Sequence, residues 1–443
     1  MSRLPLTAHD REVMLSRIGA GNFEELLRPI PTDIRLSRAL DLPPPLAEAA
    51  LVAHVSALAG ANTPVLSFVG AGSYQHFRPA VVDYLCGRPE FRTAYTPYQP
   101  EVSQGTLQTI YEFQTAIVEL TGMDVANASM YEGGSAAAEA VFMAVAATGR
   151  PCILVSDGVH PLVRRVVETY AHPNGIAVRR VPLLGGTTSM AALREVVSDA
   201  AGLIYQQPNF FGCIEDQPGL IEASHGAGGL AIASVDPLSL AILESPGALG
   251  ADIAAGEGQA LAAPMSFGGP GVGFLACKQS LIRRLPGRLV GATADSQGRP
   301  GFVLTLQARE QHIRRQKATS NICTNQALVA LAFLVTVSAL GPRGLEDMAT
   351  QAVEKAHYLQ RNLEARGLPS AFDSPFLWEF TVRTKGPASA YVDALLPRGI
   401  MPGLDLGTID PPMTDGLLVY VSELRTRQEL DQAAALMEEV RHG

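Results

Sequence analysis

Residues 94–114, AYTPYQPEVSQGTLQTIYEFQ, set Tyr95, Tyr98 and Gln99 among two prolines, Pro97 and Pro100, with Ser103 and Gln104 just ahead of a helical pattern. Proline fixes φ, so the loop is stiff and extended, and aromatic and amide groups held on such a loop can line a polar pocket. A surface loop with its tyrosines packed against a core fits the same pattern. Residues 314–328, RRQKATSNICTNQAL, place Arg314, Arg315 and Lys317 before the small turn Thr319–Ser320–Asn321, from which a helix is expected to start. Cations and hydroxyls at a helix start suit a phosphate or a carboxylate. A solvated basic helix end fits equally well.

Three further stretches carry weaker signals. In SMYEGGSAAAEAVFMAVAA (129–147), Gly133, Gly134 and Ser135 open a strong helix former, so the unpaired N–H groups of its first turn could seat an anion. An ordinary Ser-capped helix start has the same appearance. Asp236 stands where a strand ends, ahead of Pro237; its carboxylate could reach a cofactor ring nitrogen or simply close the strand in a turn. His76 in SFVGAGSYQHFRP is a lone histidine, a type more often packed than catalytic. HExxH, GxSxG and Walker patterns are absent, which lowers metalloprotease, hydrolase and nucleoside-triphosphatase readings.

The elements that must position these residues follow from periodicity. Short apolar runs at 153–156, 178–184, 202–207, 230–236 and 271–277 alternate with helical stretches, the pattern of parallel strands joined by crossover helices. This predicts an α/β fold with a mostly parallel sheet. After an apolar helix near 324–340 and a break at GPRG (341–344), helix, strand, helix, strand and a closing helix predict a small α+β domain. The expected domains are a helical arm at 1–60, a large α/β domain at 61–325 and the small domain at 326–443. The arm has no core of its own and is expected to lie across another surface, a second chain being one candidate. A net charge of −9 argues against nucleic acid, whose phosphates need clustered Lys and Arg. The apolar run at 327–340 is too short to span a bilayer, and the first residues lack a secretory core, so a cytoplasmic location without membrane contact is expected. Five cysteines without CxxC spacing read as reduced thiols, with Cys323 expected to be packed.

Taken in order, FVGAGSYQHFRPAVVDYL, YTPYQPEVSQGTLQTIYEFQ, DPLSLAILESPGALGADIAAGEGQ, SFGGPGVGFLA and ATSNICTNQAL resemble subunit 1 of the two-subunit P-protein family of the glycine cleavage system, over nearly the whole chain. The resemblance implies a fold-type I pyridoxal-phosphate transferase fold with its small terminal domain. It also implies an aminomethyl-transferring glycine dehydrogenase, active only with a beta subunit: glycine loses carbon dioxide, and the aminomethyl group passes to the lipoyl arm of the H-protein.

The family's partner half carries a lysine in a turn resembling HKTFxxPHGGGGPG, where the cofactor is held covalently. Setting Gly268–Gly271 of this chain against the end of that motif puts Gln259 at the lysine position, and an amide cannot form a Schiff base. The four lysines, at 278, 317, 355 and 385, lie elsewhere. The resemblance therefore implies no catalytic residue on this chain, pyridoxal phosphate on the beta subunit, and an alpha2beta2 assembly whose interface site this chain lines. Tyr95, Tyr98, Gln99, Ser103, Gln104, Arg315, Thr319, Ser320 and Asn321 are the expected lining residues, with His76 weaker, and Gly133, Gly134, Ser135 and Asp236 vestigial. Two readings compete with this one: a scaffold that stabilises the beta chain without touching a ligand, and an autonomous aminotransferase or lyase anchored on another lysine.

Overall fold

The computed structural model describes residues 6–92, 96–409 and 412–442 and separates into two compact units, 1–63 and 64–443. The expected boundary at 325/326 falls inside the second unit. In the first, Thr7 and Asp10 form a reciprocal capping box on α1 (Ala8–Arg17), and α2 (Glu48–Gly60) follows after a single helical turn at Phe23–Leu26 and a further irregular stretch. Neither helix has a buried side chain, although α2 is almost wholly apolar.

The second unit is built on a seven-stranded sheet: β1 (Val125–Ala126), β2 (Cys152–Ser156), β3 (Ala177–Val181), β4 (Gly202–Gln207), β5 (Leu230–Val235), β6 (Ile253–Glu257) and β7 (Gly273–Cys277). Their spatial order is β1-β7-β6-β5-β4-β2-β3. Strands β2 to β6 run parallel, whereas β7 is antiparallel to both β6 and β1. The inner strands are buried on both faces, which is why they read as continuous apolar runs rather than as alternation. The run at 178–184 divides: β3 stops at Val181, and Leu183–Leu184 pairs with Thr187–Thr188 in a separate hairpin.

Helix α3 (Gln104–Thr121) buries Leu107, Ile110, Phe113, Gln114 and Ile117, a stripe at helical spacing. Helices α4 (Gly133–Thr148) and α5 (Pro161–Ala171) cover the sheet. A long antiparallel hairpin, β8 (Leu289–Ala294) with β9 (Pro300–Thr305), packs beside α3. The helix expected to start at the Thr319 turn begins at Ala327 instead, because residues 318–326 run as an irregular loop. It forms α6 (Ala327–Ala365), interrupted at Gly341, whose φ of 62° and ψ of −179° turn the axis before Pro342 opens the next segment. By length and composition α6 could cross a membrane, yet Ala330, Leu331, Phe333, Met348 and Leu359 on it are core residues.

The C-terminal part adds a three-stranded antiparallel sheet, β10 (Glu379–Arg383), β12 (Gly416–Tyr420) and β11 (Leu404–Asp405), and a closing helix, α7 (Arg427–His442), that packs against α6. A strap crosses onto this sheet: Leu66–Ser67 pairs with Ile400–Met401, and Tyr420 N–H donates to Phe68 O at 2.8 Å. The strap thereby carries Gly70–His76 to β10 and to the carboxyl ends of the parallel strands.

Candidate functional site

A cavity of about 100 Å³ opens where ligands gather in such sheets, at the carboxyl ends of the parallel strands. Gln206 of β4, Ser234 and Val235 of β5, Asp236 just past it, and Gly256 and Glu257 of β6 form its floor. Gly133 at the start of α4, His160 ahead of α5, Tyr74 of the strap, and Trp378 and Glu379 close its sides.

The first-turn N–H groups of α4 are already taken by carboxylates of the chain itself. Gly134 and Ser135 donate to Glu132 at 2.5 and 2.9 Å, and Gly133 donates to Glu257 Oε2 at 3.0 Å. The helix cap is Glu132 rather than Ser135, whose hydroxyl donates back to the Glu132 carbonyl. Glu257 Oε1 also accepts from Gln259 N and Val272 N, at 2.9 and 2.8 Å, so one carboxylate binds three separate backbone segments. Gly133 is needed for this approach, because a Cβ there would lie 3.0 Å from Glu257 N.

His160 is locked in one neutral form. Its Nδ1 accepts from Leu162 N at 3.1 Å, so the proton sits on Nε2, which donates to Ala71 O at 2.9 Å. Burial holds its pKa below the usual imidazole range. Asp236 Oδ1 accepts from Leu238 N at 2.8 Å, whereas Oδ2 is sealed from solvent without a partner. Burial raises both the Asp236 and the Glu257 carboxyls.

Glu379 accepts from Ala71 N and Tyr74 Oη at 2.6 and 2.7 Å, yet burial pushes it up to about 7 from an ordinary 4.5. A carboxyl with a raised folded-state pKa keeps its proton where the unfolded chain has lost it. Its contribution is therefore complete below about 4.5, falls as pH rises through about 7 and levels off beyond. The neutral isostere Glu379→Gln should flatten this slope. Denaturant unfolding should show wild type losing about 2.5 kcal/mol more than the variant between pH 5 and 8. Parallel pH curves would show that Glu379 does not carry the effect.

The surface motifs meet elsewhere. Tyr98, 48% exposed, lies over the buried Arg288 guanidinium at 5.6 Å and 6.0 Å from the His312 ring. Arg288 donates to Asn325 Oδ1 at 2.8 Å and to Cys323 O at 2.7 Å, so one side chain joins the Tyr98 loop to the 318–326 loop. Thr319 and Ser320 line a small recess with Arg283, Arg309 and Glu310. Ser320 also lies close to Glu139, which burial lifts to about 7.

The other expected lining residues divide. Gln99, Arg315 and Asn321 are exposed, and Ser103 is buried with its carbonyl accepting from Leu107 N. Gln104 is a structural clamp: its amide exchanges two hydrogen bonds with the Phe302 backbone of β9, each 2.9 Å. His76 is buried and paired with Glu423 at 2.8 Å, a packed histidine outside the cavity lining. Tyr95 lies outside the described residues. Cys323, expected to be packed, is exposed.

Sequence reasoning missed Glu132, His160, Glu257, Arg288 and Glu379. Glu132 left one signal, its place three residues before Ser135 at a glycine-led helix start. The others stand alone in apolar or loop surroundings.

Strand order, the last strand's reversal and the cavity's position define the fold-type I pyridoxal-phosphate transferase class. Cysteine desulfurase from Thermococcus onnurineus superposes with a TM-score of 0.63 at 14% identity, covering 86% of this chain and 95% of that one. A family model described as "Glycine cleavage system P-protein" matches residues 1–437, and the chain belongs to that family. It is 50% identical over 439 residues to a probable glycine dehydrogenase (decarboxylating) subunit 1 of Moorella thermoacetica, covering 99% of both chains. A similar relative from Geobacillus kaustophilus is 50% identical over 97% of each chain. The crystal structure of a glycine decarboxylase (P-protein) of the glycine cleavage system, in inhibitor-bound form, matches with a TM-score of 0.90 and 45% identity, over 99% of this chain and 100% of that one.

The residues present do not fit the class's cofactor. Among the described residues no lysine or arginine lines the cavity, and the helix N-terminus that would take a phosphate is filled by Glu132 and Glu257. Gln259 is buried but does not line the cavity; its amide turns back to Ala263 O at 2.5 Å, and Ala260 faces the space instead. Lys278 is paired with Asp252, Lys355 with the Glu423 carbonyl, and Lys317 and Lys385 are exposed.

Proposed function

We propose that this chain is the alpha, non-anchoring subunit of a decarboxylating glycine dehydrogenase, and that it works in the cytoplasm with a beta subunit holding pyridoxal phosphate through a lysine. The cofactor supplies an electron sink for loss of carbon dioxide from glycine, after which the aminomethyl group goes to the lipoyl arm of the H-protein. The observation that carries this reading is the cavity without an amine or a phosphate seat in a member of the P-protein family. An alpha2beta2 assembly follows the usual two-fold symmetry of such pairs.

In this reading the chain contributes a wall to its partner's site. Tyr98 offers an aromatic face held from beneath by Arg288, and the 318–326 loop, fastened through Asn325 and Cys323, presents Thr319, Ser320 and Asn321. Gln99, Arg315 and Tyr95 belong to the same two motifs; Ser103 and Gln104 hold the first of them in place. Phe267, fully exposed on the turn after Gln259 with a φ of 58°, is a further apolar contact for the partner.

Alanine replacement of Tyr98, Tyr95 or Asn321 in the assembled complex tests this. At least one variant should lower glycine-dependent carbon dioxide exchange roughly tenfold, with assembly retained. If all three assemble and exchange normally, the scaffold reading is correct and the wall is not.

A further inference from the structure

We propose that the cavity beneath the strap is a binding site for a small primary ammonium ion, with the Asp236 carboxylate as its main acceptor and the Ser234 hydroxyl as a second. Two positions apart at the end of β5, Ser234 and Asp236 project to the same side of the sheet. Both line the cavity.

The acceptor inventory leads to this pair. Gln206 accepts from His160 N and donates to Pro208 O. Asn209 donates to Gly186 O and Glu215 Oε1, and its oxygen accepts from Phe211 N and Cys213 N. Both oxygens of Glu257 and of Glu379 are engaged. What remains is Asp236 Oδ2, buried without a partner, and Ser234, whose hydroxyl makes no hydrogen bond among the described residues. An unpaired buried carboxylate oxygen is costly, and a donor that draws the Asp236 carboxylate round toward the cavity removes that cost.

Charge selects the donor. Among the described residues three carboxyl groups line the space and no lysine or arginine offsets them; His160 is held neutral by its two hydrogen bonds, and the nearby His76 is paired with Glu423. An anion meets both this field and a filled helix N-terminus. A zwitterion such as glycine brings its own carboxylate into the same field. Size sets the rest: about 100 Å³ is less than the roughly 150 Å³ that accommodates benzene, so the ligand is of methylammonium or ethylammonium size. This site is independent of the partner's reaction and stands whether or not the Tyr98 wall does.

Calorimetric titration of the purified full chain, free of partner and cofactor, with methylammonium chloride tests the proposal, with equimolar sodium chloride and inorganic phosphate as controls. The expected result is saturable binding at one site per chain for methylammonium and none for phosphate. Asp236→Asn, which keeps an oxygen for Leu238 N, should weaken methylammonium roughly ten- to a hundredfold at an unchanged unfolding midpoint. Ser234→Ala should weaken it severalfold. Absence of saturable binding in the wild type, equal affinity in Asp236→Asn, or competition by phosphate would each overturn the assignment.

Discussion

Gly212→Ala is expected to destabilise the protein by roughly 3–5 kcal/mol, a large share of the 5–15 kcal/mol typical of a folded domain. Gly212 sits at φ +89°, and a Cβ there would stand 2.0 Å from Glu379 O and 2.6 Å from Glu379 C. The obstacle is backbone of β10, not the end of a flexible side chain. The turn cannot lift away either, because Phe210 N donates to Gly158 O, Asn209 Nδ2 donates to Gly186 O, and Thr381 Oγ1 donates to Phe211 O. The substitution therefore pushes the C-terminal sheet off the cavity wall. Denaturant unfolding should show a lowered midpoint, and Gly212→Ser should behave like alanine; a midpoint equal to wild type would mean that the turn relaxes freely.

Glu257→Ala is expected to be comparably severe. Its carboxylate satisfies the N–H groups of Gly133, Gln259 and Val272, which belong to α4, the turn after β6 and the start of β7. Removing it leaves three donors in a largely buried setting, each costing about 1–3 kcal/mol unless water enters. A total of about 4 kcal/mol is the expected loss, and hydrogen exchange should quicken at these three amides before it does in β5. Glu257→Gln, keeping one acceptor oxygen, should lie between. Unchanged protection at all three amides in Glu257→Ala would show that the carboxylate is not what joins them.

Much of the architecture was legible because the inner strands bury both faces: GLIYQQ and LAIAS leave no reading except a buried strand between turn signals. Strand β6 was hidden because IAAGE is made mostly of small residues and runs into the glycines of the following turn, so local composition resembles a loop. The reversal of β7 is a matter of pairing partners, on which the sequence of GFLAC is silent. The break at GPRG was readable from Gly341 and Pro342, whereas the start of α6 was misplaced because Thr319–Ser320–Asn321 has the composition of a cap without being one.

For the cavity, a strand end marked Asp236 and a glycine-led helix start marked Gly133 and Gly134, but the groups that redefine the space are single acids and one histidine from distant segments. Only tertiary structure brings Glu132, Glu257, Glu379 and His160 to one place. The same holds for Arg288, whose bonds to Cys323 and Asn325 and contact with Tyr98 tie together motifs that look unrelated in the chain.

The carboxylate-capped start of α4 has one more consequence, for reversibility. A lysine placed at position 259 would enter a turn whose side chain points back along its own backbone, and the start of α4 is already filled by Glu132 and Glu257. Removing the two glutamates to reopen that end would first break the joints they form. Each change is harmful without the others, so a cofactor seat cannot be built into this chain one substitution at a time without passing through unstable intermediates.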